Sequence, residues 1–344
     1  MKAKLRLGIV GTGAMAEYHT RRFSAIEGVS VAAVADRDEP RAQVFAANAG
    51  IPSIYHDVGQ LASSGTVDAL AISTRDLWHA EASIEALSRG LPVFCEKPMA
   101  RRAAEAEAMV SAAEAAGVPA LVNFSKRNSG LLRNARDLIA SGQIGRVESV
   151  ESFYLQDWLH NSRWGDWRTT TRWQWRLEEG QSSHGVLGDL GSHCLDALMF
   201  LFGEVFPIAC ATRSFAAESE VEGRPEAPAE AAASAMLRCG DFGATLSLSF
   251  GARPSVDSFG FHIRGSTGDI VMDSDLSRDE LTIISADGEG LRKLKAEKVP
   301  STYERFVTLA RGGIDPLAEE PIDFGRGLAV SRLVEALAEM AKEG

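Results

Sequence analysis

Cysteine is scarce in this chain. There are four among 344 residues (Cys95, Cys194, Cys210 and Cys239), widely spread, with no CxxC pair and no cysteine–histidine spacing suited to a metal. That argues against a disulfide framework and structural zinc, leaves no metal site to expect, and points to a reducing cytoplasm. Long apolar runs are missing too. The most apolar stretch, Leu195 to Ile208, is broken by Asp196, Gly203, Glu204 and Pro207, whereas a membrane-spanning helix takes about 20 apolar residues. Lys2, Lys4 and Arg6 ahead of Leu7-Gly8-Ile9-Val10 superficially imitate a leader. The apolar run is shorter than the ~7–15 residues of a signal peptide and is cut by glycines, so it reads as a first strand. Cationic charge is in deficit, 36 Lys and Arg against 47 Asp and Glu for a net −11. A chain so charged lacks the dense basic face that nucleic-acid binding needs. Internal repeats are also lacking.

What remains is an ordinary globular composition, 45% hydrophobic and 24% charged, long enough for two domains at roughly 150 residues each. Over residues 1–123, short apolar runs (Leu5–Val10, Ser30–Ala35, Ala69–Ser73, Pro92–Cys95, Ala120–Val122) alternate with amphipathic stretches (Ala14–Ile26, Arg41–Asn48, Leu77–Ser88, Ala103–Ala116). This predicts a parallel sheet covered by helices on both faces. From 124 to 312 strand-like segments dominate, among them the period-two run Ala244–Phe250, with one strongly apolar helix near Asp189–Phe202. Glu218–Glu230 reads as a surface loop. The segment 313–344 returns to helix, with Val330, Leu333, Val334, Leu337 and Met340 on one side, and is expected to pack back near the first domain. The fold class read from these patterns is α/β, a parallel helix-covered sheet followed by a strand-rich second domain.

The first strand runs into Gly11-Thr12-Gly13-Ala14-Met15-Ala16, a G-x-G-x-x-A turn that opens a helix. Gly11 permits the tight turn, Gly13 lets a pyrophosphate approach the backbone, and the small third residue lets helix pack on strand. Ala14 and Met15 begin the helix whose N-terminus faces the phosphates. Asp36 ends the second strand 25 residues after Gly11, close to the ~20 expected of a carboxylate that grips the adenosine ribose. A carboxylate there accepts a free 2′-hydroxyl and repels a 2′-phosphate, which favours NAD over NADP. Arg37 is the complication, since its guanidinium could stack on adenine or pair with a phosphate.

Further motifs follow in order: Ser73-Thr74 with His79 and Glu81, Cys95-Glu96-Lys97-Pro98, Asn123-Phe124-Ser125-Lys126-Arg127, Ile139–Gly145, and Gly188-Asp189-Leu190-Gly191-Ser192-His193. Taken together, the chain resembles the glucose-fructose oxidoreductase / inositol dehydrogenase / MocA family over nearly its whole length. The resemblance implies an N-terminal Rossmann dinucleotide-binding domain and a C-terminal α+β domain built on a large, mostly antiparallel open sheet whose outer face joins subunits into a homodimer or homotetramer. It implies nicotinamide-dependent oxidation or reduction of a sugar, cyclitol or related polyol. It also places Thr74, His79 and Glu96 at the cofactor and Arg127 at the substrate. Two positions depart from the family pattern: Arg75-Asp76 stands where Pro-Asn is usual, and Ser183-His184-Gly185 where a glycine run is common.

The chemistry is legible in residue types. Hydride transfer at a carbinol carbon needs a group that exchanges the oxygen's proton, and His193 suits this near neutral pH. Lys97 offers positive charge to a developing alkoxide and also touches the cofactor. Asp189, four residues before His193, projects from the same helical face and would hold a substrate hydroxyl. Lys97, Asp189 and His193 are thus the expected catalytic and substrate-binding trio; His184 is a third imidazole candidate near the pocket, read in preference as a surface or supporting histidine. Five of six tryptophans (Trp158, Trp164, Trp167, Trp173, Trp175) fall among Arg163, Arg168, Arg172 and Arg176. They suit either a sugar-binding pocket, with Trp175 against the substrate, or an interface. Two other functions fit the same motifs: an NAD-dependent glycosidase working through transient oxidation, and a non-catalytic sugar sensor.

Overall fold

The structure, a computed structural model, describes residues 4–161, 165–167, 174–178, 180–214, 229–286 and 290–343. The chain divides into two compact units. One comprises residues up to Ser125 together with Pro300–Ser331, the other Lys126–Val299 together with the residues from Arg332.

The first unit carries a six-stranded sheet of β1 (Leu5–Val10), β2 (Val29–Ala35), β3 (Ser53–Tyr55), β4 (Ala69–Ile72), β5 (Val93–Cys95) and β6 (Ala120–Val122). The order is β3-β2-β1-β4-β5-β6 and every pairing is parallel. Helices α1 (Ala14–Ser24), α2 (Glu39–Ala49), α3 (Val58–Ser63), α4 (His79–Ser88) and α5 (Ala103–Ala116) connect the strands. All of β4 is buried, as expected of a strand covered on both faces. Strand order reverses at β1 and β4, so the chain leaves their carboxyl ends in opposite directions and opens a crevice there. The three-residue β3 and six-residue α3 carry too little periodicity to be anticipated.

After residue 299 the chain returns to this unit. Helix α8 (Thr302–Ala310) opens with a capping box between Ser301 and Glu304. Tyr303 packs with its ring centroid 5.0 Å from that of Phe23 and 5.1 Å from that of Phe94, and Phe306 lies 5.4 Å from Phe94. The second domain was expected to run to 312 and the return to begin at 313. The return begins at Pro300, because these aromatic side chains belong to the first unit's core. Helix α9 (Phe324–Glu343) contributes its residues up to Ser331 here.

The second unit is built on an eight-stranded sheet: β7 (Val147–Gln156), β8 (Val205–Ser214), β9 (Glu230–Cys239), β10 (Phe242–Ser249), β11 (Asp257–Gly265), β12 (Gly268–Asp273), β13 (Glu280–Ser285) and β14 (Leu291–Lys295). The order is β14-β13-β12-β11-β7-β10-β9-β8, antiparallel except where β7 meets β10. The alternation in β10 is resolved: Ala244, Leu246 and Leu248 are buried, while Thr245 and Ser247 are exposed. Helices α6 (Gly130–Ala140) and α7 (Ser192–Phe202) pack together on the covered face, with the Arg136 guanidinium 4.5 Å from the Phe200 ring. On the open face Phe206, Ile208 and Met236 are exposed. Strand β8 takes over directly from the apolar α7, which hid it in the sequence. The surface loop expected at Glu218–Glu230 lies largely outside the described residues, and Glu230 starts β9.

Candidate active site

In the first unit, Gly11 has φ +90°, and a Cβ there would come within 2.9 Å of the Thr74 amide nitrogen and 3.0 Å of the Ser73 carbonyl oxygen. The loops after β1 and β4 therefore meet at the crevice, and only glycine allows the approach. A Cβ at Gly13 would meet nothing within 4 Å, and no side chain caps the start of α1 at Ala14 and Met15. That end of α1 thus has open space and uncapped amides, which fits a dinucleotide pyrophosphate.

Asp36 lies beside this turn. Its Oδ2 accepts hydrogen bonds from the Thr12 amide at 2.8 Å and the Thr12 hydroxyl at 2.6 Å, and its Oδ1 accepts the Asp38 amide at 2.9 Å. The Arg41 guanidinium reaches both oxygens at 3.0 Å. Burial works to raise the Asp36 pKa, but Thr12, the Asp38 amide and Arg41 outweigh it and hold the carboxyl below its usual range. Next to it, the Arg37 guanidinium stacks 4.8 Å from the Trp78 ring and pairs with Glu81 at 2.8 Å. These residues fit the adenosine end of NAD.

The His79 ring is buried with Nδ1 2.9 Å from the Pro98 carbonyl oxygen and Nε2 3.1 Å from that of Thr74. It ties the loop after β4 to the turn after β5. Burial lowers the His79 pKa, but the Cys95 sulfur, Asp76 and the Pro98 carbonyl outweigh it and push it up to about 9. Where the family pattern has Pro-Asn, Asp76 opens a short helical turn, Asp76–Trp78, and accepts the Leu77 amide at 3.0 Å.

Glu96 follows β5 and is buried. Its Oε2 accepts the Lys97 amide at 3.0 Å, and its Oε1 accepts Nδ2 of Asn123 at 2.5 Å and lies 3.1 Å from Nε2 of His19. The Tyr303 hydroxyl accepts from Asn123 at 3.3 Å and lies 3.0 Å from Nδ1 of His19, while the Thr302 hydroxyl donates to Asn123 at 2.8 Å. Burial would raise the Glu96 pKa; His19, Lys97 and Asn123 bring it down to about 2. An ionised carboxylate is thus fixed at the carboxyl edge of the sheet, with its Oε2 on the Lys97 backbone amide.

The second unit holds the other cluster. Asp189 lies in one π-helical turn, Leu187–Gly191, and His193 in the first turn of α7. The His193 ring is 5.9 Å from that of Tyr154 on β7. The Tyr154 hydroxyl donates to Asp257 at 2.7 Å, Gln156 donates to the same oxygen at 2.8 Å, and Nζ of Lys126 is 3.5 Å from Asp257 and 4.3 Å from the Tyr154 ring. Burial and the charges of Asp257 and Asp189 raise the Tyr154 pKa well above its ordinary value, so this phenol stays protonated at neutral pH. Arg176 lies 3.4 Å from Asp189 and stacks 4.4 Å from the Trp175 ring. Among the described residues no group of three His, Cys, Asp or Glu is placed to hold a metal.

Residues 5–124 match the family model described as "Oxidoreductase family, NAD-binding Rossmann fold", and residues 132–271 match "GFO/IDH/MocA C-terminal domain". The chain belongs to the Gfo/Idh/MocA oxidoreductase family. It is 25% identical to levoglucosan dehydrogenase of Pseudarthrobacter phenanthrenivorans, covering 98% of this chain and 96% of the relative. It is 28% identical to scyllo-inositol 2-dehydrogenase (NADP(+)) of Bacillus subtilis, covering 96% and 95%. In structure it is similar to levoglucosan dehydrogenase in complex with NADH, with a TM-score of 0.84 at 23% identity over 99% of this chain and 97% of the other, which shows the shared fold.

For this Gfo/Idh/MocA oxidoreductase the structure sorts the tryptophans. Trp158 packs 5.0 Å from Phe250, and Trp167 is buried with its Nε1 donating to the Leu159 carbonyl at 3.1 Å. Both are core side chains. Trp175 sits beside Arg176, while Trp164, Trp173, Arg163, Arg168 and Arg172 lie outside the described residues. Arg127, expected at the substrate, is buried with Nη1 3.2 Å from Asp196 and its guanidinium 3.8 Å from the Phe200 ring. Asp196 and Phe200 hold Arg127 in the core, and its neighbour Lys126 is a cation that reaches the Tyr154 cluster. His184 has φ +54°, which explains why glycine is common there. Sequence reasoning missed His19, Arg41, Tyr154, Asp257 and Tyr303. Arg41 had a faint signal, a cation on the helix that follows Asp36. The others join segments far apart in sequence and carried none.

Proposed function

We propose that this oxidoreductase transfers hydride between NAD and a hydroxyl-bearing or carbonyl carbon of a sugar, cyclitol or related polyol, with Lys97, Asp189 and His193 as its catalytic residues. NAD, when bound, accepts or supplies the hydride. His193 takes the hydroxyl proton during oxidation and returns it during reduction. Lys97 stabilises the developing alkoxide with its positive charge, and Glu96 holds the lysine's backbone in place. Asp189 accepts a substrate hydroxyl, with Trp175 and Arg176 beside it. Gly11, Gly13, Ala14, Met15, Asp36, Arg37 and Thr74 take the dinucleotide, and His79 anchors the loop that carries Thr74. The observation that supports this reading best is the ionised Glu96, fixed by Asn123 and His19 immediately before Lys97 at the carboxyl edge of a dinucleotide-binding sheet.

The enzyme is proposed to be a homodimer or homotetramer joined through the open face of the large sheet, where Phe206, Ile208 and Met236 are exposed. It is proposed to work in the cytoplasm, where its four free thiols persist. The test is absorbance at the NADH band with a panel of sugars, inositols and sugar acids, using NAD and NADP in turn. Reduction of nicotinamide by a free polyol is the expected outcome. Sugar release from a glycoside without net NADH would replace this reading with a glycosidase, and binding with neither outcome would replace it with a sensor.

A further inference from the structure

Asp36 is crowded with donors. A carboxylate offers about four lone-pair sites, and five hydrogen bonds already converge on it from Thr12, Asp38 and Arg41. A ribose diol that docks here must displace one of them. The Thr12 and Asp38 amides are backbone donors, in the β1–α1 turn and at the start of α2, and cannot leave, and the Thr12 hydroxyl makes the shortest of the five bonds, 2.6 Å. Arg41 can: its side chain is 56% exposed against 9% for Asp36, and it has other acceptors in reach, Thr12 Oγ1 at 3.0 Å and Asp38 at 3.8 Å. Arg37 is differently engaged, stacked on Trp78 and paired with Glu81.

We propose that Arg41, rather than Arg37, sets the choice between NAD and NADP in this chain, occupying the ribose-binding oxygens of Asp36 until a dinucleotide displaces it and then pairing with a 2′-phosphate when one is present. The inference rests on the reading that Asp36 faces the adenosine ribose. A free 2′-hydroxyl competes with Arg41 for Asp36, so Arg41 weakens NAD binding. A 2′-phosphate gains the released guanidinium as a charge-assisted partner that offsets repulsion from Asp36. The site therefore accepts both cofactors and discriminates weakly.

Direct binding tests this without any substrate: NADH and NADPH are titrated against the whole protein, following tryptophan quenching and energy transfer to the reduced nicotinamide. Arg41→Ala is expected to tighten NADH a few-fold and to weaken NADPH by about 10- to 100-fold, the size of one lost charge-assisted contact. Arg41→Lys should fall between parent and alanine variant for NADPH. Arg37→Ala should weaken both dinucleotides by a similar factor, because adenine is common to them. Equal weakening of NADH and NADPH by Arg41→Ala, or NADPH loss confined to Arg37→Ala, would overturn the proposal. If Asp36→Ala leaves NADH affinity untouched, the ribose reading itself fails, whatever Arg41 does.

Discussion

Nε2 of His19, near the end of the second turn of α1, lies 3.1 Å from Oε1 of Glu96 after β5, with both side chains buried. Tyr303 and Asn123 complete a ring around the carboxylate. Replacing His19 with leucine leaves that carboxylate buried with one partner fewer. The expected loss is roughly 3 kcal/mol of stability at neutral pH, read from urea denaturation. Glutamine, which keeps an N–H, should recover part of it. A leucine variant as stable as the parent would show that the approach does not hold Glu96.

Acid should act through the same carboxylate. Its folded value, about 2, is below the ordinary 4.5, so its stabilisation is present above about pH 4.5 and is lost as pH falls towards 2. Urea midpoints measured between those limits should fall for the parent. For Glu96→Gln the decline should be shallower from a lower starting point.

His79 has the opposite sign. Its pKa is raised from 6.5 to about 9, so its contribution is complete below about pH 6.5 and is lost as pH rises through about 9. A single proton gives a slope of at most about 1.4 kcal/mol per pH unit. His79→Gln should flatten the alkaline side of the stability profile, and an unchanged slope would show that His79 does not carry this titration.

Lys97→Met and His193→Ala should each lower turnover by about a hundred- to ten-thousand-fold, with a much smaller loss of NADH affinity in the direct titration. An equal loss in both measurements would make the replaced residue a structural one. Lys97→Met with full turnover would remove the lysine from the mechanism.

His184→Gly replaces a side chain held at φ +54°. Left-handed backbone costs a non-glycine residue roughly 1–2 kcal/mol, partly offset by glycine's greater freedom in the unfolded chain. The melting temperature should therefore hold or rise. A fall of several degrees would mean that the imidazole makes contacts worth more than the strain.

Much of this was legible in the linear order of residues. The Gly11–Ala16 turn, Asp36, Lys97 and the Asp189–His193 pair carry local signals, because a tight turn, a strand end or one helical turn restricts residue type within a few positions. The doubly wound sheet followed from alternating apolar periods. Strand β8 did not, because an apolar strand that continues directly from an apolar helix offers no change of period. The return at Pro300 did not either, because where Tyr303 and Phe306 pack depends on Phe23 and Phe94, far away in the chain.

The sequence by itself determined the fold class, the family and the identity of the ionisable residues at its motifs, all properties of short segments and their order. The tertiary structure alone decided what each charge faces. It set Arg41 on Asp36, His19 on Glu96 and Lys126 beside Asp257, and it placed Trp158 and Trp167 in the core. The physical reason is that pairing and burial depend on distances of a few ångströms between segments remote in sequence, which local residue preferences do not encode.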